Sequence, residues 1–245
     1  MKHETSVISA RNLGVKFGRK SVLDGLDLDV PQGSVTALVG GNGAGKSTLL
    51  RVLVGALVPD RGSARVLGLD PAREGERVRE RVGYVADRLE IQPRTRGREW
   101  LEFVGSFRRT WDPAEAQRLA GLLQLELDTR FGEMSKGTRA KLALVAALAH
   151  RPELLVLDEP FSGLDVDTRL AVTQGILGHL RDEGRSVLLV SHSMNDVERV
   201  ADRVLVLEQG RIVRGGELES FAASASGGLD LESALLRGKL EEVMS

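Results

Sequence analysis

Gly40-Gly41-Asn42-Gly43-Ala44-Gly45-Lys46-Ser47-Thr48 decides how this chain is read. It fits Gly-x-x-x-x-Gly-Lys-[Ser/Thr], and it lies between the apolar run Val35-Thr36-Ala37-Leu38-Val39 and the segment Leu49-Leu50-Arg51-Val52-Leu53. The order implied is strand, glycine-rich loop, helix. Glycines let successive backbone N–H groups turn toward a phosphate chain, and the helix start adds its partial positive charge. In this pattern Lys46 reaches the terminal phosphates and the Ser47 hydroxyl faces Mg²⁺. An ordinary glycine-rich turn needs neither the Lys-Ser pair nor the flanking strand and helix.

Outward from the loop, Leu154-Leu155-Val156-Leu157-Asp158-Glu159-Pro160 delivers two carboxylates at the end of an apolar strand. A buried acidic pair is costly unless a cation meets it. Mg²⁺ on a nucleotide is the natural partner: Asp158 is its expected ligand, directly or through water, and Glu159 the expected general base for an attacking water. Val187 to Val190 forms a third apolar run and ends at Ser191-His192. Such runs suit parallel strands covered on both faces. His192 therefore falls at the strand end where ligands of open α/β sheets gather.

The expected fold is α/β: a phosphate-loop core on a mainly parallel sheet, an N-terminal antiparallel β flap and an inserted helical lobe. The flap spans Val7 to Val30, with a turn at Gly18-Arg19-Lys20 and Leu23, Leu26, Leu28 and Val30 on one face. The lobe, at about 88–150, carries helical patterns at Arg98 to Arg108, Pro113 to Leu123 and Lys136 to His150. Val204 to Leu207 and Arg211 to Val213 read as a hairpin around Glu208-Gln209-Gly210. Beyond Phe221 an Ala/Ser/Gly run leads to an amphipathic segment from Leu229 to Val243.

Composition removes several classes of function. With 245 residues, 42% of them hydrophobic, the chain can bury a substantial core. A formal charge of −1, from 34 basic and 35 acidic residues, provides no field for nucleic acid, and no nucleic-acid partner is expected. Zero cysteines exclude disulfides and thiolate metal sites, and four scattered histidines argue against structural zinc. No apolar run approaches the ~20 residues of a membrane span, and Met1-Lys2-His3-Glu4-Thr5 carries no signal-peptide pattern. A role at a membrane would thus pass through a partner.

Met134-Ser135-Lys136-Gly137-Thr138 precedes a helical run, so a Ser hydroxyl and free N–H groups at a helix start would face an anion, although a plain Ser cap explains Ser135 locally. Phosphate loop, Ser-x-Gly turn, strand-Asp-Glu, Ser162-Gly163-Leu164-Asp165 and strand-Ser-His, in that order, resemble the ATP-binding cassette family from residue 5 to about 215. The resemblance implies Mg·ATP as cofactor and a head-to-tail dimer, of identical or different cassettes, with each ATP between one phosphate loop and the other subunit's signature turn. It implies nucleotide contacts from Phe17, from residues 40–48 and from Ser135, Gly137 and Asp165. His192 would contact the γ-phosphate. Phe17 stands at the adenine-stacking position, usually Tyr; a flap aromatic packed in the core is its other reading.

The chain departs from the family pattern in places. Gly83-Tyr84-Val85-Ala86 is followed by Asp87 where the family has a Mg²⁺-ligating Gln, and Gln92 lies downstream. Asp87 is an expected ligand with an added negative charge. Gly41 replaces a proline, and Lys136 and Thr138 replace Gly and Gln. A lysine there would lie beside the neighbouring subunit's phosphates or point into water.

With the aromatic segment Trp100 to Trp111, these features resemble the ATPase subunits of two-component bacterial exporters. That implies an ATP-hydrolysing domain over 1–222, a C-terminal extension over 223–245 and a separately encoded transmembrane permease. It also implies a cytoplasmic location at the inner face of the membrane. Two rivals are a soluble cassette ATPase acting on nucleic acid or ribosomes, and a slow nucleotide-switched binding module.

Overall fold

The apolar runs become adjacent central strands. In the computed structural model, which describes residues 5–220 apart from 171, 174–176, 178–179 and 181–182, β3 (Val35–Val39), β6 (Leu154–Asp158) and β7 (Ser186–Val190) are buried at every position. They share a sheet with β5 (Val82–Val85), β8 (Arg203–Glu208) and β9 (Arg211–Glu217), in the order β5-β6-β7-β3-β8-β9. Only β9 pairs antiparallel. Period-two alternation with both faces covered explains why β3, β6 and β7 are almost wholly apolar, with Thr36, Asp158 and Ser186 their only polar residues. Leu155, Leu157, Val187 and Leu189 enter one core, and Leu154, Val156, Leu188 and Val190 enter another on the opposite face.

The second face is covered by α1 (Lys46–Leu53) and by a flap of β1 (Ser6–Phe17), β2 (Lys20–Pro31) and β4 (Arg61–Val66), antiparallel in the order β2-β1-β4. The first turn is shorter than expected, because Lys20 already pairs with Phe17. Register passes from Leu13 opposite Leu26 to Gly14 opposite Asp24, leaving Gly25 (φ 70) as the extra residue of a bulge. That bulge is why Leu23 and Leu26, three apart, are both buried. β4, the third flap strand, was not expected. At the far edge, Gln209 (φ 45) and Gly210 (φ 78) form the two-residue turn between β8 and β9.

After α2 (Pro71–Arg81) and β5, the chain builds α3 (Gly97–Gly105), α4 (Pro113–Leu122) and α5 (Lys136–Leu148) before returning as β6. α4 starts as its sequence dictates: Asp112 accepts N–H bonds from Ala114 and Glu115, both at 3.0 Å, with Pro113 in the first turn. α5 buries every residue from Leu142 to Leu148, against α3 and α4 on one side and β5 on the other. The helical insertion thus shares its core with the sheet. α6 (Val166–Leu170) and α7 (Met194–Val200) follow β6 and β7. The amphipathic segment from Leu229 to Val243, and the whole extension 223–245, lie outside the described residues.

Candidate functional site

The phosphate-loop residues lie where β3 ends, and their shape follows from two glycines. Gly45 takes φ 110 as it caps α1, a value that a side chain resists. A Cβ on Gly40 would collide with Leu207 O, so the loop runs against β8. The turn at 209–210 braces it: Gly210 N–H donates to Ala44 O at 3.1 Å, and Gly210 O accepts from Asp24 N–H at 3.1 Å. α1 begins with no side-chain cap and no acid in its first turn. Its first N–H groups remain free for an anion. Lys46 Nζ bends back to donate to Gly40 O at 2.7 Å and Gly41 O at 3.0 Å.

These groups open on a cleft of about 460 Å³. Of the expected residues, Phe17, Asn42, Gly43, Gly45, Lys46, Ser47, Thr48, Asp87, Asp158 and Glu159 line it, while Gly40, Gly41 and Ala44 complete the loop behind. Phe17 is 52% exposed, which overturns the core-packed alternative and leaves its ring free to stack. Lys20 and Val22 also line the cleft and were missed. The expected turn kept Lys20 out of the strand, and only the Phe17–Lys20 pairing of the folded hairpin brings it beside Phe17.

Asp158 and Glu159 end β6 in different environments. Burial pushes the Asp158 carboxyl above its ordinary range; the Ser47 hydroxyl opposes this, nearby Asp87 and Glu159 add to it, and Lys46 partly offsets it. Tyr84 is pushed up to about 12, by burial first and then by Asp158. Glu159 has φ 52, a left-handed value that costs a side-chain-bearing residue about 1–3 kcal/mol. Its N–H donates to Val190 O at 3.0 Å, and its Oε2 lies 2.8 Å from His192 Nδ1. His192 thus joins the cleft through Glu159.

Ser47, Asp158 and Asp87 offer hard oxygens that suit Mg²⁺. Among the described residues no group of three His, Asp or Glu side chains is placed to hold an ion alone. An ion here would complete its shell with phosphate oxygens and water, the arrangement Mg²⁺ favours. Asp87 is half-exposed and borders a second, smaller cleft as well; Gln92 lines neither.

Ser135, Gly137 and Asp165 do not reach this cleft. Ser135 caps α5, its Oγ accepting from Thr138 N–H at 3.1 Å. Asp165 accepts from Thr138's counterpart in α6, Thr168, at both N–H and Oγ1, each at 2.8 Å, and these bonds hold its carboxyl below the usual range. Lys136 Nζ donates to Ser162 Oγ at 2.6 Å. In this chain Ser135 and Asp165 perform local tasks, away from the cleft.

The family model described as ABC transporter matches residues 23–162, more than half of the chain, from the flap through the phosphate loop to just beyond Glu159. This chain belongs to the ABC transporter family. Nod factor export ATP-binding protein I of Paraburkholderia xenovorans (strain LB400) is 35% identical over 86% of this chain and 71% of its own length. The daunorubicin/doxorubicin resistance ATP-binding protein DrrA of Streptomyces peucetius is 34% identical over 98% of this chain and 75% of its own. Among solved structures, an ATP-binding subunit of an ABC transporter superposes with TM-score 0.84 at 26% identity, covering 95% of this chain and 99% of that one. A dimeric cassette bound to ADP and Pi, at 22% identity, shares the fold with TM-score 0.78 over 86% of this chain and 98% of its own. No helix among the described residues is long and apolar enough to cross a membrane.

The raised Asp158 carboxyl has a consequence for stability. The folded chain binds the proton more tightly than the unfolded one, so stability is lost as pH rises from the ordinary value of 3.8 through the raised one, and the whole cost is present at neutral pH. Asp158→Asn should raise the melting temperature of nucleotide-free protein at pH 7, with a smaller gain at pH 4. An equal or larger gain at pH 4 would contradict the linkage.

Proposed function

We propose that this chain is the ATP-hydrolysing subunit of an exporter: two cassettes close on Mg·ATP and power a separately encoded transmembrane permease. One observation carries the reading, the convergence on a single cleft of Lys46 and the α1 N-terminus with Glu159, whose carboxylate is in turn met by His192. The loop N–H groups and Lys46 bind the phosphates, Phe17 stacks on the base, and Glu159 orients water and takes its proton, steadied by His192. Ser47, Asp158 and Asp87 would hold Mg²⁺, which when bound would neutralise charge on the phosphate oxygens. Ser135, Gly137 and Asp165 sit outside the cleft of their own chain, which supports completion by a second cassette.

The export and resistance functions in the relatives' names favour an exporter. The placement of Glu159 beside His192 disfavours a switch without turnover, and the balanced charge disfavours a nucleic-acid role. The test is purified chain supplied with Mg·ATP, followed by affinity capture from detergent-solubilised membranes. Phosphate release and an integral membrane protein captured in constant ratio are expected; failure to release phosphate, alone or with that protein, would remove the hydrolytic reading.

A further inference from the structure

Lys136 occupies the first turn of α5, yet its side chain leaves that turn for the loop after β6. Nζ donates to Ser162 Oγ at 2.6 Å, and the methylenes lie so close to Gly163 that a Cβ there would stand 3.0 Å from Cγ and Cδ. Alongside, Gly137 packs on the same loop by backbone alone: a Cβ on it would come within 2.6 Å of Gly163 O. The turn at 135–138 and the loop at 162–164 are therefore joined at two adjacent points, one a charged hydrogen bond and one a contact that excludes any side chain.

That loop begins at Glu159. Ser162 N–H donates to Glu159 O at 3.2 Å, while Glu159 N–H is tied to Val190 O, so the left-handed peptide that aims its carboxylate is held from both sides. A shift of Ser162 acts on one of those two restraints. Lys136, Ser162 and Glu159 also border the same cleft of about 210 Å³, which shares Asp87 and Glu159 with the nucleotide cleft.

We propose that Lys136 is a positioning residue for Glu159: through Ser162 it clamps the 159–165 loop to the start of α5, so that the signature turn and the loop move as one body. The proposal rests on Glu159 as the general base. It assigns the lysine's effect to turnover, whereas an ammonium directed at a neighbouring subunit's phosphates would act on nucleotide affinity.

Steady-state ATP hydrolysis by the full chain tests it, using Lys136→Ala, Ser162→Ala, the pair combined, and Lys136→Arg. Losing one charged hydrogen bond should lower kcat about tenfold in either alanine variant, with KM for ATP within about twofold of wild type. The combined variant should fall no further, because both changes remove the same link. Lys136→Arg should recover most of the rate with Ser162 present and none in combination with Ser162→Ala. Unchanged kcat in Ser162→Ala, losses that multiply to about a hundredfold in the pair, or a raised KM with intact kcat in Lys136→Ala would each overturn it. Glu159→Gln serves as the reference: if it hydrolyses ATP at the wild-type rate, the base assignment has failed; if it is inactive while the Lys136 and Ser162 variants are unaffected, only the clamp has failed.

Discussion

Glu159→Gln should reduce steady-state ATP hydrolysis by about 10²–10⁴-fold while leaving ATP binding intact and trapping an ATP-dependent dimer. Glutamine has the shape of glutamate and keeps an oxygen that can meet His192, so the 2.8 Å contact at Nδ1 can persist. It cannot accept a proton from water. The left-handed backbone, φ 52, is no worse for Gln than for Glu, so the variant isolates the chemistry from the strain. Binding should survive because the phosphate loop and the α1 N-terminus are untouched. Phosphate release checks turnover, and size-exclusion chromatography with and without ATP checks the dimer. A rate within about twofold of wild type would move the base elsewhere, and loss of nucleotide affinity would show that the carboxylate binds rather than activates.

The half of the site built by contiguous residues was legible because each piece carries its own local signal. Residues 40–48 need only their glycines and the flanking strand and helix, and Asp158-Glu159 needs only the apolar run that it ends. Alternation into two cores requires apolar residues on both faces of a run, and Leu154 to Leu157 and Val187 to Val190 supply them. Long-range pairing was harder. β4 buries Ala64 and Val66 among exposed residues, and its strand character comes from β1, to which Gly14 brings Arg61. Lys20 and Val22 reach the cleft only because the Gly18-Arg19 turn folds β2 back beside Phe17.

Ser135 and Asp165 show a different limit, in chemistry rather than distance. A hydroxyl or carboxylate at a helix start caps the helix with the same oxygen that would meet a ligand, so sequence alone does not separate the two uses. Motif order pointed to the nucleotide; the single chain shows the caps. For Lys136 the sequence allows a neighbouring phosphate or open water, and its bond to Ser162, 26 residues on, is not readable from either segment. Asp87 was legible as a departure from a pattern, while its influence on Asp158 follows from where β5 ends beside β6.

Lys46→Ala should cost at least about tenfold to a hundredfold in ATP affinity, the scale of losing one or more charge-assisted hydrogen bonds to phosphate. Two roles separate here by their magnitudes. In the free loop Nζ bonds to Gly40 O and Gly41 O, both at a part-exposed surface, so the lysine contributes little to stability and its removal should leave the melting temperature nearly unchanged. On the triphosphate the same ammonium meets full negative charge beside free N–H groups, where an opposite charge is worth far more than a carbonyl dipole. The free-state bonds to the carbonyls also keep the side chain folded over the loop, so less rotamer freedom is lost on binding. Isothermal titration with ATP, beside a thermal melt of each protein, checks both halves. Undiminished affinity would refute the phosphate-loop assignment, while a large fall in melting temperature would show that the lysine builds the loop instead of serving its ligand.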